Sequence, residues 1–267
     1  MLKVKNLSKN FKRSLFSNKK NQALDNVSFE IKRGEVFGIV GESGSGKTTL
    51  ANTLLKVLPP SSGQVLFEGN DLYGKKQMKE LEFRKKVQAI TQNFNNALNP
   101  NMTIMESMKE VFLIHGRKKH KSITQKDLIK MLNEVALGKE LLVRYPTQLS
   151  GGQLQRILIS RVVSLKPELI IADEPVSCLD MSVQARIIHL LMKLKKEYDF
   201  TLIFISHDIG LTTAISDRIA VMHKGKILEI DNANKIYNDS QNDYTKLLIE
   251  SSKNSDFTKR EKLCLAI

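Results

Sequence analysis

An α/β fold is predicted by three short apolar runs, Val36–Val40, Leu169–Ala172 and Leu202–Ile205, and by the segments that follow them. The runs do not alternate apolar with polar residues, as expected of strands buried on both faces of a parallel sheet. Each ends at chemically capable residues: Gly41 to Thr48, Asp173-Glu174 and Ser206-His207-Asp208. Ligands of open α/β sheets sit beyond the carboxyl ends of the strands, where these segments stand.

The remaining elements follow from periodicity and punctuation. Residues 93–165 read as mainly helical, an inserted helical subdomain. Ser122 with Gln125 has the form of a capping box, and Leu128, Ile129, Met131, Leu132 and Val135 form an apolar face closed at Gly138. A second helix is expected after Ser150-Gly151-Gly152, with Leu154, Ile157, Leu158, Ile159, Val162 and Val163 mostly apolar, stopping before Pro167. Residues 219–230 read as a hairpin turning at His223-Lys224-Gly225-Lys226. One domain is expected over residues 1–250, followed by a loosely held polar tail over 251–267.

Composition narrows the setting without deciding the function. Among 267 residues the formal charge is +14, with basic clusters at Lys19-Lys20, Lys75-Lys76, Arg84-Lys85-Lys86 and Arg117-Lys118-Lys119. These clusters are short, scattered and not interleaved with aromatics, which favours solvated surface near a membrane over a nucleic-acid track. No apolar run approaches the roughly 18 residues of a transmembrane helix. The first residues lack the pattern of a secretory signal, so a cytoplasmic protein is expected. Cys178 and Cys264 have no metal-ligand or redox spacing and read as free thiols.

Three motifs carry chemistry. Gly41 to Thr48 fits GxxxxGK[ST] after a strand: glycines let backbone N–H groups converge on phosphate, Lys47 neutralises it and the Thr48 hydroxyl binds Mg²⁺. The core is thus expected to be a P-loop NTPase (RecA-like) core binding ATP with Mg²⁺. Asp173 is placed to hold the metal and Glu174 to polarise an attacking water. Ser150, Gly151 and Gly152, with Gln153, form a second anion site at a helix start but bring no lysine, which suggests two chains sandwiching each nucleotide.

With these residues in place the chain resembles the nucleotide-binding subunit of ATP-binding cassette (ABC) transporters, from about Leu2 to Glu250. In order it has the phosphate loop, a glutamine loop at Gln92, the signature Leu149 to Gln153, the Asp173-Glu174 strand, a D-loop Ser177-Cys178-Leu179-Asp180 and a switch histidine, His207. The resemblance implies an N-terminal antiparallel β subdomain beside the core and inserted helices. It implies an ATP-binding set of Gly41, Glu42, Ser43, Gly44, Ser45, Gly46, Lys47, Thr48 and Thr49, with Phe11 or Phe16 stacking on adenine. Gln92 would contact Mg²⁺ with Thr48 and Asp173 and report on the transmembrane partner. Asp180 would communicate across the dimer, and His207 would touch the γ-phosphate and position water and Glu174. Cys178 stands where alanine is usual, a small apolar replacement.

Architecture narrows the branch. The chain lacks fused membrane helices and has one cassette; Ser150 follows Lys47 by 103 positions, too few for an intervening long coiled coil. Ala97-Leu98-Asn99-Pro100, Glu174-Pro175-Val176-Ser177, Ser182-Val183-Gln184-Ala185, Asp243-Tyr244-Thr245-Lys246-Leu247-Leu248 and the inserted Lys12–Asn21 resemble the oligopeptide/dipeptide/nickel importer branch. Thr91 and Asn93-Phe94 depart from it beside the permease-facing loop. The implied partners are a second ABC ATPase subunit, identical or related, transmembrane permease subunits and, indirectly, an extracellular solute-binding protein. The implied location is the cytoplasmic face of the membrane. The alternatives are a soluble nucleic-acid-associated ATPase and a non-hydrolysing regulatory cassette.

Overall fold

A computed structural model describes residues 1–14, 17–75, 77–92, 97–115 and 123–254. Phe16, Asn93-Phe94, Ser122 and residues 255–267, named above, lie outside the described residues. In chain order the elements begin β1 (Leu2–Ser14), β2 (Ser17–Ile31), β3 (Val36–Val40), α1 (Lys47–Leu54), β4 (Ser62–Phe67), β5 (Asn70–Asp71), α2 (Glu80–Lys86), β6 (Val87–Ile90), α3 (Ile104–His115) and α4 (Gln125–Glu134). They continue α5 (Gly151–Ser164), β7 (Leu169–Asp173), α6 (Met181–Tyr198), β8 (Thr201–Ser206), α7 (Ile209–Ile215), β9 (Arg218–His223), β10 (Lys226–Asn232), α8 (Ala233–Asp239) and α9 (Asp243–Asn254). The chain divides into two compact units: Met1–Lys79 with Ile171–Glu174 and the chain from Thr201 onward, and Glu80–Ile170 with Pro175–Phe200.

The first unit holds two sheets. One has the order β2-β1-β4-β5 and is antiparallel, as the family resemblance implies for the N-terminal region. In β1, Leu2 and Val4 point into the core, then the alternation resets so that Leu7 is also buried. The reset is a bulge at Asn6, whose φ of 47° lies in the left-handed region that asparagine tolerates. Asn26, at φ 52°, does the same for β2, taking the buried set from Leu24 to Val27, Phe29 and Ile31.

The other sheet runs β10-β9-β3-β8, with the Ile171–Asp173 end of β7 beside β8. β3 is parallel to both β8 and β9, and every residue of β3 and β8 is buried, as the unbroken apolar runs predicted. The predicted hairpin is β9–β10. Its turn residues Lys224 and Gly225 have φ of 46° and 80°, the double positive φ of a primed turn. The last helix among the described residues, α9, continues through Ser251 to Asn254, into the stretch expected as tail.

The second unit contains α2 to α6, β6 and the Leu169–Ile170 start of β7, which lies beside β6. Its helices bury Leu128 and Leu132 of α4, Leu154, Ile157 and Ile159 of α5, and Ile187, Ile188 and Leu191 of α6. Two local expectations are corrected. The cap of α4 is Thr124, whose hydroxyl accepts the Asp127 N–H while the Asp127 carboxylate accepts the Thr124 N–H; the expected Ser122–Gln125 pairing would start the helix two residues too early. The same helix ends before Gly138, with Ala136 in the left-handed region at φ 53°, and Gly138 instead precedes a 3₁₀ turn over Lys139–Val143. α5 ends at Ser164, before Pro167, as expected.

Candidate active site

The first unit brings together five of the expected residues: Lys47, Thr48, Asp173, Glu174 and His207. Buried β3 delivers the chain to Gly41, and α1 begins at Lys47 with Gly46 as its N-cap and no side-chain cap. The first-turn N–H groups of α1 are therefore left for a ligand. Gly46 has φ 104°, and a Cβ there would stand 2.5 Å from the Ala23 carbonyl oxygen, so only glycine fits. A Cβ on Gly44 would meet nothing within 4 Å, so the loop is open on that side.

Lys47 folds back over its own loop, its Nζ donating to the Gly41 and Glu42 carbonyls at 2.6 and 2.9 Å. Burial pushes its pKa down, opposed by the charges of Glu174, Asp173 and Glu42. Asp173 responds in the opposite direction: burial raises its pKa and Glu174 adds to this, while a hydrogen bond from the Thr48 side chain and the charge of Lys47 pull it down. The site thus holds a desolvated cation among desolvated anions, the arrangement expected where a further charged group completes the balance. Asp173 Oδ1 and Ser45 Oγ are buried and have no hydrogen-bond partner among the described residues.

Glu174 leaves β7 at φ 49°, an uncommon conformation for a residue with a side chain, and its N–H donates to the Ile205 carbonyl at 3.0 Å. Such backbone conformations concentrate at functional sites. The turn brings its carboxylate to His207, whose Nδ1 lies 3.1 and 3.0 Å from the two oxygens. This hydrogen bond raises the His207 pKa against the opposing effect of burial.

Phe11 lies on β1, 38% exposed, with Lys9 Nζ 5.3 Å from its ring centroid. Gln92, Ser150 to Gln153 and Asp180 belong to the second unit. Gln92 is exposed just beyond β6. Ser150 caps α5: its hydroxyl accepts the Gln153 N–H at 3.3 Å and the Gln153 side-chain carbonyl accepts the Ser150 N–H at 3.0 Å, with Gly151 and Gly152 forming the first turn. Asp180 is exposed before α6 and its carboxylate makes no cap bond. Cys178 is exposed.

One contact was not foreseen. Tyr244 of α9 accepts a hydrogen bond from the Glu42 N–H of the phosphate loop at 3.2 Å. The Asp243–Leu248 segment stood out in the sequence, but its pattern carries no signal that the tyrosine reaches this loop.

Comparison with known proteins identifies the family. The sequence profile of the family described as ABC transporter matches residues 24–177, more than half of the chain. An oligopeptide transport ATP-binding protein, OppF, of Streptococcus mutans is 42% identical, with 94% of this chain and 81% of that protein covered. A dipeptide transport ATP-binding protein, DppF, of Lactococcus lactis is 39% identical, with 96% and 82% covered. Among solved structures, the ADP- and phosphate-bound dimer of the ATP-binding cassette MJ0796 superposes with a TM-score of 0.74 at 29% identity, covering 87% of this chain and 99% of that one. CbiO1 of Clostridium perfringens, part of the ABC transporter complex CbiONQ, gives 0.76 at 26% identity with 98% of each covered. A glycine-rich loop alone occurs in many nucleotide-binding proteins, but this loop, this strand-end acid pair and these relatives together leave one assignment: the chain belongs to the ABC transporter family, as an ATP-hydrolysing subunit.

Proposed function

We propose that this subunit energises import of peptides, holding Mg²⁺-ATP on its phosphate loop and completing each site with the signature of a second cassette. The observation that carries the hydrolytic part is the cluster of Lys47, Thr48, Asp173, Glu174 and His207, with a buried Asp173 oxygen that has no partner among the described residues. Support for peptides comes from the oligopeptide and dipeptide relatives; nickel and metal-chelate cargo belong to the same branch. Those relatives weigh against the nucleic-acid alternative.

The residues fit a magnesium ion. Thr48 and Asp173 offer hard oxygen donors, and among the described residues no group of three or more His, Cys, Asp or Glu forms a dedicated metal cage. Mg²⁺ commonly takes one or two protein ligands and fills its shell with phosphate and water. Bound Mg²⁺-ATP would supply the phosphoanhydride bond to be cleaved, with the cation neutralising part of the negative charge on the phosphate oxygens. Lys47 turns its Nζ from the loop carbonyls to phosphate oxygen, and the uncapped α1 amides add their donors. Glu174 accepts a proton of the attacking water, and His207 fixes the carboxylate at its Nδ1. Phe11 stacks on adenine, Thr49 and Ser45 complete the loop, and Gln92 serves as metal contact and permease reporter. Ser150, Gly151, Gly152 and Gln153 of the second chain close over the phosphates, and Asp180 links the two chains.

No helix among the described residues is long and apolar enough to cross a membrane. From the transporter relatives, we place the subunit at the cytoplasmic face, bound to permease subunits and served indirectly by an extracellular solute-binding protein. Two variants test the site through ATP binding and phosphate release. Lys47→Ala is expected to weaken ATP binding. Glu174→Gln is expected to keep binding and lose about 100- to 1000-fold in turnover, the usual effect of removing an electrostatic group of this kind. Near-normal turnover in Glu174→Gln, or unchanged affinity in Lys47→Ala, overturns the corresponding role.

A further inference from the structure

We infer that Tyr244 is a positioning residue for the phosphate loop, holding Glu42 in place so that Lys47 is aimed correctly at the nucleotide. The inference rests on the reading of Gly41–Thr48 as the ATP loop and adds to it a residue from the far end of the chain.

Glu42 is gripped at both ends of its backbone. Its N–H donates to the Tyr244 hydroxyl at 3.2 Å, and its carbonyl accepts from Lys47 Nζ at 2.9 Å. Its carbonyl also accepts the Ser45 N–H at 3.2 Å, so Glu42 organises the loop that follows it. A shift of Glu42 moves its carbonyl and with it the two donors bonded there, the Lys47 ammonium and the Ser45 N–H. Glu42 is otherwise exposed, and the tyrosine hydroxyl is what anchors its N–H.

Tyr244 is itself built into place. Asn242 Oδ1 accepts the N–H groups of Tyr244 and Thr245 at 3.0 and 3.3 Å, capping the start of α9. The Thr245 hydroxyl donates to Glu229 Oε2 at 3.0 Å, and the Ser240 hydroxyl donates to the same oxygen at 2.7 Å, tying the helix start to β10. The tyrosine ring lies 4.0 Å from that of His223 at the end of β9, and Leu248 and Ile249 pack into the apolar cluster of Val40, Ile209, Ile219 and Val221. Val40 directly precedes the loop. Burial raises the tyrosine pKa, so the group facing Glu42 is the neutral phenol. The hairpin adds to the same backing: the Gly225 N–H donates to the Ser45 carbonyl at 2.9 Å, and Gly41 packs against the Met222 carbonyl. Each part of the segment from Asn242 to Ile249 thus has a place: a cap, a hydroxyl on the loop, a clamp on β10 and an apolar anchor.

The test is Tyr244→Phe in the full chain, which keeps the ring and its packing and deletes only the hydroxyl. Three quantities are measured: Mg²⁺-ATP affinity by calorimetry, the melting temperature without nucleotide, and the Glu42 amide resonance by NMR. A lost neutral hydrogen bond predicts a roughly 3- to 10-fold weaker ATP affinity. The Glu42 amide proton is expected to move upfield while the melting temperature stays within about 2 °C of wild type, a small shift for a chain of this size. Unchanged affinity overturns the inference, whether or not the resonance moves. Weaker affinity with a lowered melting temperature and an unmoved Glu42 amide also overturns it, assigning the effect to helix docking. If wild-type protein binds no ATP, the reading of the loop fails as well; if wild type binds and the variant binds equally, only the role of Tyr244 fails.

Discussion

His207 and Glu174 lie 33 positions apart in sequence, yet they meet side chain to side chain. The sequence marked both as polar residues at strand ends and assigned them to phosphate and water. The family resemblance also had His207 position Glu174; what was not legible is the backbone that allows their hydrogen bond, the left-handed turn at Glu174, since no local pattern announces a positive φ on a glutamate. The bond has a measurable consequence. Without nucleotide, His207 is expected to titrate above its ordinary 6.5, because the Glu174 hydrogen bond favours the imidazolium. Since the folded-state value is raised, the stabilisation is fully present below the unfolded value and is lost as pH rises through the folded one. Glu174→Gln is expected to return the titration toward or below 6.5, checked by NMR of the ring protons. Identical titrations in the two proteins would remove the pairing. The same limit applies to Lys47, whose identity was plain from the motif but whose two carbonyl bonds belong to the folded loop.

At the scale of elements, legibility followed burial. Strands β3, β7 and β8 were readable because both faces are covered, leaving no polar alternation to confuse the pattern. The hairpin was readable from Lys224-Gly225. The boundaries of α4 were not: Ser122-x-x-Gln125 and Thr124-x-x-Asp127 are both capping patterns, the sequence does not separate them, and in the fold Thr124 is the cap. Thr124→Ala is therefore expected to destabilise the fold by about 1 kcal/mol, as loss of a cap does. That corresponds to a melting temperature lower by about 2–4 °C, measured calorimetrically. An unchanged melting point would mean that the cap is dispensable. The helix end was misplaced for a related reason, since Ala136 adopts the left-handed conformation that glycine usually provides.

For the whole molecule, the division of labour between the two compact units sets a prediction of its own. The phosphate loop, Asp173, Glu174 and His207 lie in one unit, and Ser150 at the head of α5 lies in the other. If Ser150 serves the nucleotide of a second chain, Ser150→Arg leaves ATP affinity of the isolated chain within about twofold and lowers turnover in the assembled transporter about 100-fold or more. A matching loss of ATP affinity in the isolated chain would refute action on a second chain. The order of motifs along the sequence was enough to determine the family and the α/β core and to single out the residues proposed to surround ATP, because each motif is a short run whose chemistry depends on neighbours a few positions away. Tertiary structure alone decided how those residues are held. Glu42 and Tyr244 are separated by 202 positions, and whether their backbone and hydroxyl meet is set by the packing of α9 on the core. Spacing along the chain carries chemistry that is local, whereas a hydrogen bond across the fold exists only once both partners have been buried against the same core.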